Sequence, residues 1–66
     1  MIDDPDLFRA AELLVEKYRD NAGIRAAQRA DKLAGSGNIE ASALWRQIVA
    51  AIEELQHGRR EGELLN

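Results

Sequence analysis

The chain has 66 residues, 45% of them hydrophobic, 32% charged and 5% aromatic, with one histidine, no cysteine and a formal charge of -3. Without cysteine there is no disulfide framework, no cysteine-ligated metal and no thiol chemistry, which suits a reducing compartment. A core built from so short a chain supplies little net stability, so self-association or a partner is the expected support.

The first helix is predicted over about 5–19. Asp4 can accept from the first-turn amides, Pro5 suits the first helical position, and Asp6 places negative charge where the helix dipole favours it. Leu7, Ala11, Leu14 and Tyr18 recur at the spacing of one face, widened by Phe8, Ala10 and Val15. Lys17 and Arg19 sit near the carboxyl end, where cations are favoured.

A second helix is predicted over about 21–34, with Asp20 or Asn21 as its cap. Its stripe of Ala22, Ala26, Ala30 and Leu33 lies about 85° round from the first stripe at about 100° per residue, so one straight helix cannot aim both at a single core. Gly23, a poor interior residue, adds to the case for a break over a continuous helix. Gly35 then ends the helix and Asn38 caps a third, predicted over about 39–56 and ended by Gly58. Ala41, Leu44, Trp45, Ile48, Ala51, Ile52 and Leu55 share its broad apolar face. Residues 59–66 read as a flexible polar tail, with Leu64 and Leu65 a possible short docking element.

The inventory for chemistry is thin. His57 alone cannot build a histidine-rich metal site, and its plain reading is a solvated residue at a helix end. Ser36 and Ser42 suit turn and capping roles better than catalysis. Glu12 with Glu16, and Glu53 with Glu54, lie on solvated faces with cations nearby, and short helices offer no deep cleft to raise a carboxyl pKa. Gly35-Ser36-Gly37 lacks the lysine, the glycine spacing and the leading strand of a phosphate loop.

Two features remain. Arg25, Arg29 and Lys32 line one side of the second helix, which raises a helix-turn-helix reading with these three as nucleic-acid contacts. The third helix carries Glu40, Glu53 and Glu54 against Arg46 alone, and the whole chain is acidic, so a solvated or protein-pairing face is the better account. Trp45 on an apolar face is either the anchor of a small core or a hot spot at an interface.

The run Tyr18-Arg19-Asp20-Asn21-Ala22, then Arg29-Ala30-Asp31, Gly37-Asn38, Trp45-Arg46-Gln47-Ile48 and Ala51-Ile52-Glu53-Glu54-Leu55 resembles short helical proteins of alphaproteobacteria, a class of domains of unknown function. The resemblance spans about Leu7 to Leu55 and implies a bacterial source and a helical fold, with no activity and no site residues. Its pattern has glycine after the tyrosine, where this chain has Arg19, which argues against a sharp turn there.

The expectation is one all-α domain over 1–58, a small bundle of three short helices, or two if the first pair is one kinked helix, completed by dimerisation. Its seam is expected to hold Leu7, Leu14, Tyr18, Ala26, Ala30, Leu33, Leu44, Trp45, Ile48, Ile52 and Leu55. Function is expected to be protein–protein interaction, with itself or another protein, through Leu44, Trp45, Ile48, Ile52 and Leu55 and the edge of the first helix. Neither catalysis, cofactor nor metal is expected. The apolar run Ile48 to Ile52 is far too short to span a membrane and Met1-Ile2-Asp3-Asp4 opens with acid, so the cytoplasm is the expected location.

Overall fold

Helix α1, Pro5–Tyr18, starts as its sequence dictates: the Asp4 carboxylate accepts the Asp6 N–H at 2.9 Å, and the Asp4 carbonyl accepts from Leu7 and Phe8. The computed structural model describes residues 4–58, all-helical apart from Asp4 and the turn at 36–38, with no strand among them. The tail at 59–66, with Leu64 and Leu65, lies outside the described residues.

No loop follows α1. The Arg19 N–H makes one more bond, to the Val15 carbonyl, and the backbone then turns sharply, with Arg19 at φ 55° and ψ -122°. A single 3-10 turn, Arg19–Asn21, delivers the chain into α2, Ala22–Gly35. The helical backbone thus forms two arms, 5–35 and 39–58, the first bent at Arg19. The arginine in place of the pattern's glycine argued against a sharp turn here, yet Arg19 holds the mirror-image geometry of the first central residue of a type II turn, a place normally given to glycine. The capping expected from Asp20 or Asn21 is corrected too. Asn21 stands at the cap position with no side-chain bond, because the chain arrives already coiled and the Ala22 N–H reaches the Arg19 carbonyl.

Helix α2 buries an alanine stripe, Ala22, Ala26 and Ala30, all at 2% exposure or less, so its backbone lies close to its neighbours. It runs through Gly35 and ends one residue later than expected. Asn38 N–H reaches the Leu33 carbonyl at 2.9 Å and Gly37 N–H the Ala34 carbonyl at 3.1 Å, the paired bonds of a Schellman closure. Gly37, at φ 88°, is the residue that closure requires to be glycine. Asn38 then caps α3, Ile39–Glu53, its side chain accepting the Ala41 N–H at 3.2 Å. The backbone continues beyond α3 as one wider π turn, Glu54–Gly58.

The core gathers Leu7 and Ala11 from α1, Ala22 and Ala26 from α2, and Ile48, Ala51 and Ile52 from α3. Phe8, Leu14, Val15, Tyr18, Trp45 and Leu55 pack half-buried around it. Ile52 is the largest side chain to be fully enclosed. The expected seam is corrected at Leu44, which is 46% exposed, and enlarged by Ala11, Ala22 and Ala51, whose small side chains let the helices approach until nothing of them is left in solvent.

Candidate functional site

Helix α3 divides its apolar stripe between inside and outside. Ile48 and Ile52, at 4% and 0% exposure, are consumed by the core of the chain's own fold, so a partner reaches them only if α1 or α2 moves away. Trp45 and Leu55 are half-buried, and Leu44, beside Trp45, faces solvent. The five residues singled out as an interface are therefore a graded edge rather than one open face.

The basic row of α2 lies against the aromatic residues rather than apart from them. The Arg25 guanidinium sits 5.0 Å from the centre of the Tyr18 ring, with the Lys17 ammonium 5.4 Å from the same ring. Arg29 lies 5.8 Å from the Trp45 ring. Such contacts desolvate one face of a guanidinium, steady its side chain and leave its edge donors free. Lys32, in the last turn of α2, is exposed. Two features that the sequence offered to rival readings, the arginines and Trp45, thus form one surface.

On the far side of α1 an open groove of about 650 Å³ runs from Glu12, Leu13 and Glu16 to Leu55, Gln56 and His57. Leu13 in its wall is 60% exposed. Gln56 anchors the groove's end, its side-chain amide donating to the Arg19 carbonyl at 3.0 Å. That oxygen, at the bend, also accepts the Ala22 N–H, so the corner is held both by its own turn and by a residue far along the chain.

Ser42 is the residue that sequence reasoning misplaced. It is 4% exposed, and its hydroxyl donates to the Ala30 carbonyl at 2.8 Å, bolting α3 to α2 rather than capping its own helix. At about 100° per residue Ser42 lies about 80° round α3 from Ile52 and only about 60° from exposed Ile39, so its spacing carried no signal of burial. With its proton committed to a backbone oxygen, this hydroxyl is not disposed as a nucleophile. Among the described residues no three His, Cys, Asp or Glu side chains gather as a metal set, and no helix is long and apolar enough to cross a membrane. Comparison with protein-family models, curated proteins and solved structures finds no match to the chain.

Proposed function

We propose that the chain is a small cytoplasmic protein–protein interaction module, homodimeric, which works by burying helix against helix and not by catalysis. The observation that carries this reading is the exposed edge of α3, where Leu44 stands 46% exposed next to half-buried Trp45, with half-buried Leu55 about three turns further along the chain. Leu13 on α1, at 60%, offers a second apolar contact. A fold that encloses one large side chain has little apolar area to spare, and leaving leucines in water is reasonable where a partner covers them. In this reading α1, α2 and α3 form a bundle that a second copy completes.

The alternative, nucleic-acid contact through Arg25, Arg29 and Lys32, has less support. Two of the three cations rest on rings of their own chain, and the net charge is -3. The resemblance to alphaproteobacterial helical proteins brings no activity to either reading.

The test is molar mass by light scattering over about a hundredfold dilution, with helical circular dichroism alongside. A dimer that Leu44→Arg converts to monomer without loss of helix supports the proposal. A dimer untouched by Leu44→Arg removes α3's edge as the contact.

A further inference from the structure

Arg19 carries a Cβ yet holds a glycine conformation, and it stands at a corner made without a loop. Neither glycine nor proline occupies 18–22, so every residue of the corner is compatible with an α-helix. If Arg19 relaxes to ordinary helical angles, residues 5–35 become one rod of about 46 Å. Helix α1 then swings out of its own core and leaves Ile48, Ile52 and Leu55 open.

From this we infer that the chain exchanges α1 with a second copy, the α1 of each protomer packing on the α3 of the other. The inference rests only on the chain being homodimeric: it places the contact at the vacated α1 seam instead of the Leu44 edge, and Leu44→Arg separates the two. Three observations favour a second copy as the occupant. The vacated seam is by construction complementary to α1, since Leu7 and Ala11 already fill it within one chain. Opening releases the strain at Arg19 but uncovers the seam, and only exchange releases the strain with the seam covered again; a short strained hinge is the ordinary setting for such exchange. The apolar stripes of α1 and α2, about 85° apart on a straight helix, conflict in one core but are suited to two: one faces the chain's own α3 and the other faces the partner's.

Because the exchanged contacts repeat those of the closed chain, the hinge sets the dissociation constant and residue 19 is its lever. Glycine there relieves the closed form and weakens the straight helix, an effect of at least about tenfold per hinge and so about a hundredfold per dimer. Alanine keeps the Cβ, and with it the strain.

The experiment is light scattering on the wild type, Arg19→Gly, Arg19→Ala and Leu44→Arg, each refolded from denaturant at its highest soluble concentration and then diluted. The expected result is a slowly dissociating dimer in the wild type, retained in Arg19→Ala and Leu44→Arg and lost in Arg19→Gly. A dimer abolished by Leu44→Arg but indifferent to residue 19 overturns the exchange and leaves the surface-contact reading standing. A wild type that stays monomeric after concentrated refolding overturns the exchange and the homodimer together.

Discussion

Replacing Arg19 by glycine should make the dilute, closed chain more stable, which is unusual for a change to glycine within a helical chain. A side chain held at φ 55° and ψ -122° costs about 1–3 kcal/mol. Glycine removes that cost but gives back about 0.5–1 kcal/mol through the greater freedom of the unfolded chain. The net gain is about 1 kcal/mol, which for a chain of this size raises the melting temperature by about 4–8 °C. Neither hydrogen bond at the corner is lost, since Gln56 and Ala22 both donate to the backbone carbonyl. The assay is thermal unfolding followed at the helical signal, at a concentration where all variants are monomeric, with Arg19→Ala as control. Alanine should melt within a few degrees of the wild type. If alanine stabilises as much as glycine, the gain comes from removing the arginine side chain and the strain argument is wrong; if glycine melts lower than alanine, Arg19 is not strained at all.

The remaining expectations concern the core and its ties. Ile52→Ala should cost about 2–5 kcal/mol, enough to unfold most of so small a domain, and a cooperative melt close to that of wild type would show that Ile52 is not enclosed. Gly23→Ala should stabilise by about 0.5–1 kcal/mol, because a Cβ there meets the Ile52 side chain at 3.9 Å, an ordinary contact; a lower urea midpoint would show that α2 cannot accept the methyl group. Ser42→Ala should cost about 1 kcal/mol and no more, since the Ala30 carbonyl keeps its place in the helical ladder; a loss several times larger would mean the hydroxyl holds more than one partner. Trp45→Ala should destabilise by about 2 kcal/mol, below the full cost for an enclosed tryptophan, and titrating the wild type with guanidinium should shift the single tryptophan's emission in the same transition that melts the helix.

Much of the local structure was legible in the residues. Asp4-Pro5 and Asn38 act on amides two or three positions away, so their caps are written in short spans of sequence. Periodicity likewise marked the inward stripe of each helix. The corner was not legible, because what stabilises its geometry comes from elsewhere: the Arg19 carbonyl is held by Gln56, far along the chain, and packing overrides the local preference of an arginine. Gly23, which looked like a breaker, sits inside α2 where the chain needs no special angle. The candidate interface failed to resolve for a related reason. A helical stripe reveals which residues turn inward but not how far α1 covers it, and only the packed chain separates Ile48 and Ile52 from Leu44. The meeting of Arg29 with Trp45 crosses from one helix to another and has no sequence signature of its own.

The buried alanines at 11, 22, 26, 30 and 51 bear on how any such protein is probed. Systematic truncation to alanine, the usual survey of what matters, passes over these positions because there is nothing to remove. A map drawn that way would show a few sensitive sites and long silent stretches, and would misread the tightest joints as tolerant. Enlargement is the informative direction: a change such as Ala26→Leu drives side-chain atoms between backbones already at close approach, so a library of insertions of bulk, not of deletions, would trace where the helices meet.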